Sequence, residues 1–348
     1  MSGNRGNGDG VGLEISGQKS EKECSMEVFP KPVIVVSKCL GFEACRYNKQ
    51  IISDYFVNKL TELVNFIPIC PEVEIGLGVP REPIRLVKEK EKLTLYQPAT
   101  GKQFTEKMNI FLDDFFTKLE VVDGFILKNR SPSCGKGDVK IYQSFKQPSP
   151  STRGNGFFGQ RIADTLSDAA VDDEGRLRNY QIRDHFLTKL YTRARFRTIK
   201  EQMKMGALVD FHSRHKLLLL AYNQELYRQC GRIVANHENL EIREVITRYE
   251  EKMNSIFHTP FTYTAMINTL HHAFGWISDG LSQEEKQFFL NTVEEYRDER
   301  IPLSTVIHLL NSYAIRFNNE YLRNQVLLQV YPETLTEITD SGKGRKLY

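Results

Sequence analysis

The chain has 348 residues, 40% apolar and 26% charged, with a formal net charge of +3. This is the composition of a globular protein with enough chain for two hydrophobic cores, and it excludes disordered and fibrous classes. The longest apolar run in a helical context, residues 217–221, is far short of the ~20 residues a membrane helix needs, and residues 1–28 lack the apolar centre of a signal peptide. A cytoplasmic protein without a membrane partner is the expectation. Six cysteines in that compartment point to metal binding, catalysis or burial rather than to a disulfide framework.

Residues 1–28 form a Gly-, Ser-, Glu- and Lys-rich leader, expected to be disordered, that carries Cys24. Between 29 and 146, apolar runs at 33–36, 66–69 and 125–127 read as buried strands, and amphipathic stretches such as 51–64 and 108–119 read as helices. That alternation is the βαβ rhythm of a parallel sheet with covering helices. Residues 147–184 open with QPSPSTRGNGFFG and are expected to be a connection, although Phe157 and Phe158 are costly to leave in water. From 185 to 335 the period becomes helical, over 187–205, 208–228, 242–257, 264–277, 283–299 and 303–314; a tail follows from 336 to 348. There is no internal repeat and no sustained heptad. The expected fold class is an α/β N-terminal domain followed by an all-α domain packed as a bundle.

Three cysteines, Cys39, Cys70 and Cys134, each follow one of the buried-strand runs. They would therefore converge on the rim outside the carboxyl ends of the strands, where open α/β sheets bind ligands. Close C-x-x-C pairs that aim two thiolates at zinc are missing. Widely spaced single thiols suit a larger object, such as an iron–sulfur cube that takes one ligand per loop. Three ligands leave one iron open to act as a Lewis acid toward a soft atom such as sulfur. Cys45 lies on the same loop as Cys39 and reads either as a fourth ligand or as a second thiol nearby. Glu72 and Ser131 stand close in sequence to Cys70 and Cys134 and would place a carboxylate and a hydroxyl beside the open iron; a partly desolvated Glu72 can serve as general acid or base. Arg46, Arg81 and Lys128 can supply positive charge, and Gly76, Gly78, Gly135 and Gly137 can supply backbone freedom.

The motifs S-x-C-L, C-R-Y-N, C-P-E-V-x-x-G-L-x-x-P-R at 70–81 and I-L-K-x-x-S-P-S-C-G at 126–135 occur in that order, and over residues 31–145 the chain resembles the thiouracil desulfidase family. The resemblance implies a four-iron four-sulfur cluster held by Cys39, Cys70 and Cys134, with Glu72 and Ser131 as the acid/base and activating pair. The usual Y-D-G is Y-N-K here, at Tyr47, Asn48 and Lys49. Residues 185–335, with L-V-D-F-H-S-R-H-K at 208–216 and Q-V-L-L-Q-V-Y-P at 325–332, are similar to a helical domain found fused to such desulfidases. These fusions imply 4-thiouridine in transfer RNA as the substrate, converted to uridine without net redox change.

Residues 185–234 carry ten Lys/Arg against three acidic residues. Arg193, Arg195, Arg197, Lys200, Lys204, Arg214 and Lys216 therefore read as a phosphate-neutralising, RNA-binding patch. His212 and His215 read as core or capping histidines. Two other functions stay open. One is desulfuration of free thiouracil or a small thioamide, and the other is a non-catalytic iron–sulfur sensor saturated by all four cysteines.

Overall fold

The three runs read as buried strands lie side by side in one parallel sheet. The computed structural model describes residues 29–337 except 91 and 147; the leader with Cys24, and residues from 338 on, lie outside the described residues. Its strands are β1 (Val33–Ser37), β2 (Asn65–Ile69), β3 (Arg85–Glu89), β4 (Lys92–Gln97), β5 (Lys102–Gln103), β6 (Gly124–Leu127), β7 (Val139–Tyr142), β8 (Ser151–Gly154) and β9 (Ala170–Asp173). The helices of the first half are α1 (Tyr55–Leu60), α2 (Pro71–Glu74), α3 (Thr105–Lys118) and α4 (Phe157–Thr165). Those of the second half are α5 (Tyr180–Gln202), α6 (Met205–Arg214), α7 (Lys216–Tyr222), α8 (Gln224–Ala235), α9 (Ile242–Ile256), α10 (Tyr263–Gly275), α11 (Gln283–Arg297), α12 (Leu303–Arg316) and α13 (Glu320–Arg323). The architecture is the α/β half followed by an all-helical half.

The first sheet has the order β2-β1-β6-β9, and every neighbouring pair is parallel. Val35 of β1 faces Ile67 on one side and Phe125 on the other. Ile34, Val35 and Val36 are all fully buried, which is why this strand reads as an unbroken apolar run rather than an alternating one. From β1 the chain winds out to β2, then returns past β1 to β6 and β9. The winding direction thus reverses at β1, and a crevice opens at the carboxyl ends of the strands there.

A second sheet, β5-β4-β3-β7-β8, has no counterpart in the sequence reading. The charge-rich run RLVKEKEKLTLYQ hides a hairpin in which Arg85 faces Tyr96, while Leu86 and Leu95 point together into the core. The expected connection at 147–184 also needs correction. It contains β8 and α4, and β9 completes the first sheet by pairing with β6. Phe158 explains this: its ring is fully buried against Phe115, Phe116 and Phe125. Burial of such a ring stabilises by about 2 to 3 kcal/mol, enough to hold a helix that turn-forming residues introduce.

In the helical half, the stretch expected as one helix over 208–228 is three, α6, α7 and α8. The chain turns at His215 and again at Asn223, whose side chain accepts from Leu226 N and caps α8. The 23-residue α5 spans two cores. Its first half sends Ile182, Phe186, Leu187, Leu190 and Tyr191 into the core that holds Ile34, Val36 and Ile126, whereas Phe196 and Ile199 enter the helical core. The domain boundary expected at 185 therefore falls inside a helix. Near the other end, Tyr331 and Leu335 return to the sheet core.

Candidate functional site

β1, β2 and β6 end on the same edge of the sheet, and Cys39, Cys70 and Cys134 follow them there. With Cys45, these cysteines line one cavity of about 370 Å³. The loops are tied to each other as well as to the strands: Lys38 N donates to Ile69 O at 2.8 Å, and Lys128 N donates to Ser37 Oγ at 2.8 Å. Cys134 sits on a tight turn in which Ser131 Oγ accepts from the backbone N–H of Ser133 (3.3 Å) and Cys134 (3.1 Å). The start of α4 holds this turn from behind, with Gly156 N donating to Gly135 O and Phe158 N to Ser133 O, each at 2.8 Å. Of the four glycines expected to free the backbone, Gly76, Gly78 and Gly137 have positive φ. Gly135 serves a different purpose, since a Cβ there would meet Val139 Cγ2 at 2.3 Å.

All four thiols are free, and Cys39, Cys45 and Cys134 are buried. Hydrogen bonding to Cys39, opposed by a bond to Cys70, pushes the Cys45 thiol up to about 11, and hydrogen bonding to Cys45 together with burial pushes Cys70 higher still. Burial raises Cys134. Cys45 is therefore in contact with two of the three strand-end cysteines. Among the described residues no group of three or more His, Cys, Asp or Glu is placed to hold a single metal ion. An all-sulfur donor set arranged around a cavity fits an iron–sulfur cluster rather than a lone zinc.

Glu72, on α2 immediately after Cys70, lies at the same cavity with both carboxylate oxygens engaged. Oε2 is gripped by Arg81, through Nε at 2.9 Å and also through Nη2. Oε1 accepts from Ser133 Oγ at 3.0 Å and Ser131 Oγ at 3.4 Å. Arg81 Nη1 in turn donates to the carbonyls of Cys45 and Gly78, each at 2.9 Å, so the guanidinium fastens Glu72 to the cysteine loop. The expected pair Glu72 and Ser131 is brought together. Sequence reading missed Ser133 and used Arg81 only as a generic cation, although both stand inside the motifs that supplied the cysteines.

The cavity wall also holds Lys38, Arg46, Lys128 and Arg130. Lys128 pairs with Glu174 at the end of β9, and Glu174 Oε2 accepts from Asn129 N at 2.8 Å. Lys49, which stands where Y-D-G would have glycine, has a φ of 59°. A left-handed conformation at a residue with a Cβ costs about 1 kcal/mol.

The seven cations expected to form an RNA patch are not all on one surface: Arg193, Arg197 and Lys200 line a common cavity of about 890 Å³, and the others lie elsewhere. Arg195 is buried, donates to Val330 O and lies over the Phe29 ring. Arg193 donates to Asp168 O (3.0 Å) and Asn254 Oδ1 (3.1 Å), Arg197 to Asp123 Oδ2 (3.1 Å), and Lys216 lies over Trp276. Arg214 is half-buried; Lys200 and Lys204 are exposed, and Lys200 is paired with Glu250. Three of them, Arg193, Arg195 and Arg197, lie on α5 and are spent on contacts that join the halves, whereas Lys200 and Lys216 are engaged within the helical half. His215 is buried against the Phe211 ring and His212 contacts Tyr249 OH at 3.1 Å; burial pushes His212 down to about 4.

A family model described as 2-thiouracil desulfurase matches residues 34–174, and one described as a protein of unknown function, DUF1722, matches residues 216–332. The uncharacterized protein YbgA of Escherichia coli is 25% identical over 154 residues, which is 44% of this chain and 91% of YbgA. The uncharacterized protein YbbK of Bacillus subtilis is 30% identical over 117 residues, 31% of this chain and 76% of YbbK. Among solved structures, the 4Fe-4S-dependent thiouracil desulfidase TudS is 27% identical, with a TM-score of 0.34, over 42% of this chain and 93% of that one. No helix among the described residues is long and apolar enough to cross a membrane.

Proposed function

Because the chain belongs, over residues 34–174, to the 2-thiouracil desulfurase family, we propose that it removes sulfur from thiolated uracil with an iron–sulfur cluster held by Cys39, Cys70 and Cys134. The observation that carries this reading is the shared cavity, where four thiols adjoin a carboxylate fixed between an arginine and two serines. Bound there, a four-iron four-sulfur cluster supplies a soft Lewis acid for the thiocarbonyl sulfur. The chain's own residues do the rest. Arg81 orients Glu72 so that Oε1 faces the Ser131 and Ser133 hydroxyls, a position from which it takes a proton from water directly or through Ser131. Water oxygen adds to the ring carbon, the C–S bond breaks and sulfur leaves as sulfide, with no electron gained or lost. The finer substrate we propose is 4-thiouridine in transfer RNA. Lys38, Arg46 and Arg130 on the wall of the thiol cavity support it, with Glu43 on Lys38 and Asp138 at 3.9 Å from Arg130 meeting only part of their charge.

Anaerobic reconstitution with iron and sulfide, followed by addition of 2-thiouracil, 4-thiouracil or transfer RNA containing 4-thiouridine, tests both levels through sulfide release. Brown absorbance should disappear when Cys39, Cys70 or Cys134 is changed to Ala. Glu72→Gln should keep the absorbance and lose turnover by about 100-fold or more. Release from RNA alone supports the finer substrate, and release from free bases alone replaces it. A full cluster with no release from any of the three removes the desulfidase reading and leaves a sensor.

A further inference from the structure

A second cavity of about 370 Å³ lies between the sheet half and the helical half, lined by α4, β9, α5 and the segment at His258 and Pro260. Lys136, two residues beyond Cys134 on the same loop, forms part of its wall. Neither the family match nor the thiol chemistry gives this cavity a purpose.

Its electrostatics are one-sided. Lys136, Arg176 and Lys189 place three basic side chains on the wall, where Asp172 is the one carboxylate among the lining residues. Arg176 Nε takes Asp172 Oδ1 at 2.7 Å, while Lys136 donates to Val171 O and stays 3.9 Å from Asp172 Oδ2. Lys189 makes no hydrogen bond and no ion pair among the described residues. Burial, then Arg193, push this ammonium down to about 8, with Asp168 acting in the opposite direction. His185 beside it contacts Tyr222 OH at 3.1 Å, and burial holds it down to about 4, so it is a neutral imidazole at neutral pH. Lys189 is half-buried at the cavity wall, and an ammonium partly desolvated without a hydrogen-bonded counter-charge is costly. Surplus positive charge around a cavity of this size suits an anion that completes the set.

We propose that this interdomain cavity binds a phosphate dianion, with Lys189 as the direct ligand and Lys136 and Arg176 as flanking charge. A phosphate monoester carries about −1.5 to −2 near pH 7, which matches three cations less one carboxylate; a phosphodiester carries only half of that. The source is either inorganic phosphate or the monoester of a nucleotide. The inference does not depend on the desulfidase reading, because no thiol and no residue of the Glu72 network takes part.

Calorimetric titration of the full-length protein with inorganic phosphate, uridine 5′-monophosphate and a short oligouridylate lacking terminal phosphates tests it. At least one of the two dianions should bind saturably and raise the melting temperature, and Lys189→Met should weaken that binding tenfold or more. Equal affinity for phosphate and the nucleotide supports a site for the phosphate group alone; tighter binding of the nucleotide supports a nucleotide site. Without ligand, Lys189→Met should melt no lower than the wild type, since it deletes an unpaired charge. Lys136→Gln, expected to weaken binding in the same sense, keeps the test readable should Lys189→Met fold poorly. Undiminished binding in both variants, or binding of the oligouridylate alone, overturns the proposal.

Discussion

Glu72 is useful only because its surroundings leave it a single posture. One oxygen is committed to the Arg81 fork, the other to two serine hydroxyls, and the fork also grips the Cys45 carbonyl. Arg81→Lys keeps the charge but loses the planar, bidentate grip. It should therefore retain the cluster absorbance of the reconstituted protein while kcat falls by about 10- to 100-fold; wild-type kcat would show that the fork does not set the carboxylate's position. Legibility at this scale followed sequence distance. Cys39, Cys70, Cys134, Glu72 and Ser131 could be read because each occupies a short motif after a strand. The Ser133–Glu72 bond joins loops 61 residues apart and exists only once β2 and β6 are in one sheet with β1. The charged run on α5 misled for the converse reason, since the burial of Arg195 depends on carbonyls at Gln329 and Val330 that no local pattern announces.

Elements that lack a strong period were the ones that escaped. β3 and β4 hide under alternating lysine and glutamate, and α4 follows a run of turn formers, yet α4 is the brace behind the Cys134 turn. Its packing there is close enough to decide a sign. Gly→Ala inside a helix ordinarily stabilises by about 1 kcal/mol. A Cβ on Gly159, however, would lie 2.4 Å from Gly135 O and 3.1 Å from Cys134 O, both backbone atoms that cannot swing aside. Overpacking therefore wins. Gly159→Ala should destabilise by about 1 to 3 kcal/mol in denaturant unfolding, and the displaced turn should hold iron less firmly after reconstitution. A more stable variant with undiminished iron would mean that α4 does not brace the turn.

Across the whole molecule, the two fold classes foreseen from sequence are present, but they are not independent bodies. A single helix contributes to both cores, and Tyr331 and Leu335, far along the chain, complete the sheet core rather than the helical one. Arg195 lies at the crossing point, with its guanidinium on the carbonyls of Val330 and Gln329 and over the Phe29 ring. Changing it to Met keeps much of the stem's packing but leaves two half-buried carbonyls without their charged donor, at a cost of about 1 to 3 kcal/mol. Because α5 cannot leave one core without disturbing the other, that cost should be felt by both halves. Calorimetric melting of the wild type should show one cooperative transition, and Arg195→Met should move it down as one, with near- and far-ultraviolet signals still coincident. Two separate transitions, only one of them shifted, would mean that the halves melt independently and that α5 is a linker rather than a shared beam.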